Sequence, residues 1–351
     1  MATDRTAHRQ PLRADLVLSG GGVKGIGLVG AVASLMDSGY AIQRVSGTSA
    51  GSLVGSIVAA AVHTGRLDAA GLTELTLALP YARFRDGGPI ERIPVLGPAW
   101  GLLRGTGIYR GDFAHDWVRT ELKNLGVRTF GDLAVDDDNL LPERRYRLVV
   151  TVADLTTGQL VRLPWDYRRV YGLDPDEQPV ADAIRASMAI PFFYRPVTLI
   201  AASGRRSTLV DGGVLSNFPI DSFDRPDGQL PRWPTFGVTV IPYLPAHIDQ
   251  VIPGLAMLFP RPCPEPMLLE SLLTTMLVGH DQAHLNQPWV SARAIRVDST
   301  EIGVLDFDIT RRHAQQLYDK GYEAATDFLS TWNWRDYVVR FRQAHQVDAA
   351  R

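Results

Sequence analysis

Residues 15–65 hold two glycine-rich turns, each placed where a short apolar run passes into a helical pattern. This spacing limits the fold more than any other feature of the chain. The first stretch is Asp15-Leu-Val-Leu-Ser-Gly-Gly-Gly-Val-Lys-Gly25 and the second is Val45-Ser-Gly-Thr-Ser-Ala-Gly51. Residues 16–18 and 42–46 read as buried strands, and residues 25–38 and 50–64 as helices. Strand, helix, strand, helix predicts a parallel sheet covered by helices. In such sheets reactive groups gather at the carboxyl ends of the strands, and both turns lie there.

The two turns suit two different tasks. Gly47-Thr-Ser-Ala-Gly51 fits G-x-S-x-G, which presents a serine, here Ser49, on a tight strand-to-helix turn between neighbours too small to block a substrate. Gly20, Gly21 and Gly22 lack side chains, so their N–H groups can converge on one anion ahead of a helix. An attacking hydroxyl and a set of donors for the oxygen that becomes negative are what acyl transfer requires. Taken alone, Gly20 to Gly25 also satisfies the dinucleotide pattern G-x-G-x-x-G. That reading wants an acidic residue after the next strand to hold a ribose, whereas the nearest, Asp37, falls at the end of the first helix.

The serine needs a proton acceptor. None of the eight histidines follows a clear late strand with a glycine turn. His280 and His284 share a helix face but lack the Glu of H-E-x-x-H and any evident third ligand, so no metal site is expected. Asp211 is the better candidate, because the short strand 208–210 delivers it directly before Gly212 and Gly213. The bland alternative is that Asp-Gly-Gly forms only a turn.

Four segments occur together in order: Gly20-Gly-Gly-Val-Lys-Gly25, Gly47-Thr-Ser-Ala-Gly51, Ala183-Ile-Arg-Ala-Ser-Met-Ala-Ile-Pro191, and Asp211-Gly-Gly213 followed by Asn217 and Pro219. On these the chain resembles the patatin-like phospholipases, over residues 15–219 and more weakly to about residue 329. The resemblance implies a three-layer α/β/α fold with a mainly parallel central sheet and a Ser–Asp dyad that works without histidine. It makes Ser49 the nucleophile and Asp211 the general base. It makes Gly20, Gly21 and Gly22 the oxyanion hole, with Lys24, Gly25, Gly47, Gly51, Gly212 and Gly213 as supporting motif residues. Ser19 departs from the pattern, since many members carry Asp there. The implied activity is hydrolysis of carboxylic esters in phospholipids or other acyl lipids, with no cofactor. Transfer of the acyl group to an alcohol is an alternative on the same residues, and a lipid-binding protein without chemistry is a third reading.

With 45% hydrophobic and 21% charged residues the chain has an ordinary globular composition, and a net charge of -2 gives no global field for nucleic acid. The single cysteine, Cys263, excludes an intrachain disulfide framework. Residues 1–13 read as a polar arm with no signal-peptide core, residues 14–330 as one catalytic domain, and residues 331–351 as a tail. Residues 45–65 lack Asp, Glu, Lys and Arg, but their serines and glycines suit a buried helix better than a membrane span. The proline-broken stretch 80–133 reads as an insertion packed on the core, with a lid as the alternative. The apolar regions 90–108 and 251–277 are candidates for acyl-chain or bilayer contact. The expected setting is cytoplasmic, with transient contact at a membrane surface.

Overall fold

The computed structural model describes residues 12–87, 107–225, 229–240 and 282–343. One sheet is built from β1 (Leu12–Leu18), β2 (Tyr40–Thr48), β3 (Leu148–Asp154), β4 (Gln159–Leu163), β5 (Val197–Ile200), β6 (Arg206–Asp211), β7 (Thr235–Thr239) and β8 (Ala294–Arg296). The longer helices are α1 (Gly25–Asp37), α2 (Ala50–Thr64), α3 (Ala69–Leu77), α4 (Asp112–Asn124), α5 (Val180–Ser187) and α6 (Arg311–Thr331). The strand order is β5-β6-β3-β2-β1-β7-β8, with β4 also paired to β3. The run β3-β2-β1-β7-β8 is parallel throughout, while β4 and β6 join β3 antiparallel and β5 joins β6 antiparallel.

Alternation along the strands divides the interior between the two faces of the sheet. Leu16, Leu18, Leu148, Val150, Phe236 and Val238 enter the larger core, which also takes the apolar faces of α1, α2 and α6. Val17 and Val149 enter a smaller core on the opposite face, with Phe218, Ile220, Leu285 and Val290. Helical turns at Gln282–Leu285 and Pro288–Ser291 belong to this second layer. The result is a three-layer α/β/α arrangement around a mostly parallel sheet.

Helix α1 is buried from Gly25 to Leu35 because α6 crosses it at backbone contact. A Cβ on Gly321 would lie 2.0 Å from the Gly27 carbonyl oxygen, so only glycine permits this approach. Helix α2 is buried from Ala50 to Ala61 and stops at Gly65, whose φ of 65° and N–H bond to the Ala61 carbonyl close the last turn. The charge-free stretch is thus an interior helix. No helix among the described residues is long and apolar enough to cross a membrane.

The described flanks of the 80–133 stretch supply Phe84, Ile108, Val118 and Leu122 to the buried interior. Its centre, with Leu96, Trp100, Leu102 and Leu103, lies outside the described residues, as do residues 251–277 and His280. Helix α3 and strands β4 and β5 were not evident in the sequence.

Candidate active site

The sheet register brings the predicted serine and aspartate together. Strand β2 pairs along β3 from Val45 opposite Leu148 to Thr48 opposite Thr151, then leaves. Strand β6 pairs with β3 from Val152 opposite Asp211 to Asp154 opposite Leu209. The other edge of β3 is held by β4 over residues 150–154. β6 therefore takes up the same edge at the point where β2 departs, running the other way. Ser49 is the first residue after β2 and Asp211 is the last of β6, so they meet at this junction.

Ser49 has φ 51° and ψ -122°, a backbone conformation that costs a non-glycine residue about 1–3 kcal/mol. The surroundings enforce it. The Ser49 N–H donates to Ser187 Oγ at 2.9 Å, and the Ser187 hydroxyl donates to the Thr151 carbonyl at 2.7 Å. The Ser49 carbonyl accepts from Ser52 N–H and Ser52 Oγ at 2.9 and 2.6 Å. Close glycine contacts tighten the turn: a Cβ on Gly47 would sit 2.3 Å from the Gly51 carbonyl oxygen, and one on Gly51 2.3 Å from that of Leu18. Serine at a helix N-cap usually bonds the first turn, yet the Ser49 hydroxyl makes no such bond. It lines a cavity instead.

Asp211 is fully buried. Its Oδ1 accepts from Gly213 N–H at 2.8 Å, and its own N–H donates to the Ala189 carbonyl at 2.9 Å. Oδ2 has no partner in hydrogen-bonding geometry among the described residues, although the Ser49 hydroxyl is near enough to favour the ionised carboxylate. The pair is adjacent without a formed bond, a common state before substrate arrives. Burial pushes Asp211 up from 3.8 to about 7, against the smaller opposing pulls of the Ser49 hydroxyl and the Gly213 N–H. Gly212 allows the approach to β3, since a Cβ there would meet the Thr151 oxygen at 2.4 Å.

The three glycines of the first turn are not equivalent. Gly20 donates its N–H to the Asn217 carbonyl at 3.2 Å, which removes it from the expected donor set. The N–H groups of Gly21 and Gly22 have no acceptor among the described residues. Gly20 matters through its missing side chain, because a Cβ would lie 3.1 Å from Ser49 Cβ and 2.2 Å from Asn217 Oδ1. Ser19 ties the loop down: its hydroxyl donates to the Gly20 carbonyl at 3.1 Å and accepts from Val240 N–H at 3.3 Å. A short side chain thus serves where an aspartate was the family expectation. Gly25 lets α1 begin against α2, since its Cβ would lie 3.1 Å from Ala50 Cβ. The positive ends of both helix dipoles therefore converge near Ser49. Lys24 is buried, and desolvation lowers it to about 8 while the Asp298 charge opposes that shift. It does not line the Ser49 cavity.

That cavity is apolar and small, about 50 Å³. It runs from Gly22 and Ser49 past Leu53, Val54 and Ile57 of α2 towards Leu72 of α3. From Ser49 to Ile57 the helix rises about 12 Å. Asp37, needed by the dinucleotide reading, sits at the far end of α1, where its Oδ2 accepts from the Tyr322 hydroxyl. No group of three or more metal-binding side chains is present among the described residues. Sequence reasoning quoted the segment holding Ser187 and Ala189 without giving it a task. The structure assigns one, since Ser187 holds Ser49 and Ala189 holds Asp211.

Comparison with known proteins agrees with this arrangement of motifs. The Patatin-like phospholipase profile matches residues 16–224. The protein YqhO of Bacillus subtilis (strain 168) is 32% identical over 320 residues, covering 91% of this chain and 99% of that one. The NTE family protein MT2641 of Mycobacterium tuberculosis (strain CDC 1551 / Oshkosh) is 26% identical over 303 residues, covering 83% of this chain but only 43% of that one. Among solved structures, VipD from Legionella pneumophila is similar with a TM-score of 0.49 at 19% identity, covering 92% of this chain and 67% of that chain. The type III effector protein ExoU is similar with a TM-score of 0.43 at 16% identity, covering 91% and 53%. The extent of the profile match and the near full-length relationship to YqhO mean that the chain belongs to the patatin-like phospholipase family, a family of lipid acyl hydrolases.

Proposed function

We propose that the protein hydrolyses carboxylic esters of acyl lipids, with Ser49 as nucleophile and Asp211 as general base. One observation carries this reading: a buried aspartate with one oxygen unpartnered stands beside a serine whose hydroxyl is withheld from helix capping. An ordinary carboxylate is a weak base for a serine, about 2.6 pH units below histidine on reference values, or about 3.5 kcal/mol. Moving Asp211 to about 7 adds about 4 kcal/mol of proton affinity and closes that gap.

In the proposed reaction Asp211 Oδ2 takes the proton of Ser49 Oγ as it attacks the ester carbonyl. The N–H groups of Gly21 and Gly22 stabilise the tetrahedral oxygen, where one such donor is worth ~2.7–4 kcal/mol. Asp211 returns the proton to the leaving alcohol, and the acyl chain lies against Leu53, Val54 and Ile57. Water then gives its proton to Asp211 and attacks the acyl-serine; Asp211 passes that proton to Ser49 Oγ as the acyl–Oγ bond breaks, releasing the fatty acid and restoring both groups. The small cavity favours short or medium chains unless its lining side chains rotate.

The test compares the native protein with Ser49→Ala and Asp211→Asn on a medium-chain p-nitrophenyl ester and a phospholipid panel, with and without an acceptor alcohol. Release of fatty acid by the native protein alone supports the dyad. A new ester formed with the added alcohol assigns transacylation. Activity surviving in folded Ser49→Ala overturns the mechanism.

A further inference from the structure

A second cavity, of about 440 Å³, opens on the sheet beside the start of β7, where Asp15 from the middle of β1, Arg44 from the middle of β2 and Thr235, the first residue of β7, form part of its wall. Arg44 precedes Ser49 by five positions, so the cavity lies about 16 Å along the sheet from the catalytic end. Its volume falls within the range of small-molecule sites. Five arginines line it, Arg44, Arg144, Arg145, Arg225 and Arg232, against three carboxylates, Asp15, Asp138 and Asp224.

Each of those carboxylates is already matched by an arginine. Asp15 pairs with Arg44 at 2.5 Å and Asp138 with Arg145 at 3.3 Å. Asp224 receives Arg293 and Arg342 at 2.7 and 2.9 Å, neither of which lines the cavity. Arg232 is paired too, with Asp137 at 2.6 Å, so the excess positive charge rests on Arg144 and on the two guanidiniums that share Asp224, in a concave, partly apolar setting that strengthens the field on an entering anion. Arg144 has no carboxylate partner among the described residues, and its guanidinium rests on the Trp165 ring at 5.0 Å. Arg44 and Arg232 also lie over rings, Phe223 at 4.4 Å and Trp233 at 4.3 Å, but their guanidiniums are engaged by Asp15 and Asp137. Held over a ring, the Arg144 guanidinium loses little further freedom on forming the forked bonds that phosphate oxygens accept. Leu141, Pro142 and Pro231 complete the wall with apolar surface, suited to the organic part of such a ligand.

We propose that this cavity binds a phosphate monoester, remote from the ester-cleaving site, with Arg144 as its principal cation. The inference does not depend on the catalytic reading. It is tested by isothermal titration of the full chain with inorganic phosphate, phenyl phosphate and glycerol 3-phosphate at low and high salt. In parallel, flotation is measured with phosphatidylcholine vesicles with and without phosphatidic acid. The expected result is saturable binding of one phosphate ester per chain, retained in Ser49→Ala, weakened about tenfold by Arg144→Glu and weakened by salt. If the soluble esters bind, the ligand is a free phosphate ester. If only phosphatidic acid vesicles are held, and Arg144→Glu releases them, the same chemistry is supplied by a lipid headgroup. Arg144→Gln, which removes the charge without reversing it, replaces Arg144→Glu should the latter alter the circular dichroism of the protein. Absence of saturable binding to every probe overturns the proposal. So does binding indifferent to the charge at position 144, or lost in Ser49→Ala.

Discussion

Replacing Asp211 with Asn separates the chemistry of this residue from its effect on the fold. The carboxyl is fully buried and is raised from 3.8 to about 7. The folded protein thus holds this proton more tightly than the unfolded chain does. For an acid shifted upward, stability falls as pH rises from about 4 to about 7 and is level above that. At about pH 5 the unfolded residue is largely ionised and the folded one is not, which costs the fold about 1.6 kcal/mol. At about pH 8.5 both are ionised and the cost reaches about 4 kcal/mol. The amide introduced by the substitution does not titrate. It keeps an oxygen for the Gly213 N–H and adds a buried donor without a partner, a penalty of about 1–3 kcal/mol that does not vary with pH.

Relative to the native protein, Asp211→Asn should therefore gain about 3 kcal/mol of stability between about pH 5 and about pH 8.5. Urea unfolding of both proteins at each pH measures this, and all other titrating groups cancel in the comparison. The variant should be inactive throughout. A stability difference that stays constant over this range would mean that Asp211 titrates as an exposed carboxylate, and the account of how it becomes a usable base would fail.

The native enzyme should show kcat/KM rising tenfold per pH unit below about 7 and level above it, followed with a p-nitrophenyl ester. Ser187→Ala removes the acceptor of the Ser49 N–H and should lower both stability, by about 1–3 kcal/mol in urea unfolding, and kcat, by about tenfold. Gly21→Ala brings a methyl to 2.5 Å from Val240 Cγ2, so the loop must shift; kcat should fall about a hundredfold while circular dichroism is unchanged. Leu53→Ala enlarges the Ser49 cavity at a cost of about 2–5 kcal/mol and should move the preferred ester towards longer chains in a kcat/KM series.

The first half of the site was legible because it is local. The apolar run ending at Leu18, the turn to Gly25, and Thr48-Ser49-Ala50 each combine strand, glycine and helix within a few residues, and α2 occupies its expected residues 50–64. Helix α3 was hidden by Gly71 and by its weak division into polar and apolar faces. Strand β5 alternates between half-buried and exposed residues and offers no buried stripe. Strand β4 begins directly after the Thr157-Gly158 turn and was read only as far as that turn. The role of Ser187 was not legible for a different reason. A serine inside an amphipathic helix looks the same whether its hydroxyl bonds its own helix or, as here, the N–H of a residue 138 positions away.

The antiparallel entry of β6 gives the proposed Ser49–Asp211 dyad a way to operate without a third residue. In an all-parallel sheet, neighbouring strands end at the same edge and their turns stand side by side. Here β2 and β6 approach one edge of β3 from opposite directions, and Ser49 and Asp211, the proposed nucleophile and base, stand at the gap between them. The gap is spanned by residues 187–189, which hold Ser49 through the Ser187 hydroxyl and Asp211 through the Ala189 carbonyl. A histidine in other serine hydrolases requires an orienting partner because its ring is on a free side chain. Asp211 is a short side chain fixed at both backbone and Oδ1, so its remaining oxygen has little freedom left to lose. The burial that supplies this rigidity also raises its proton affinity, so orientation and basicity come from the same packing rather than from a separate residue. Substitutions in residues 187–189 should then couple to changes at both Ser49 and Asp211, and their effects on kcat should be non-additive with either.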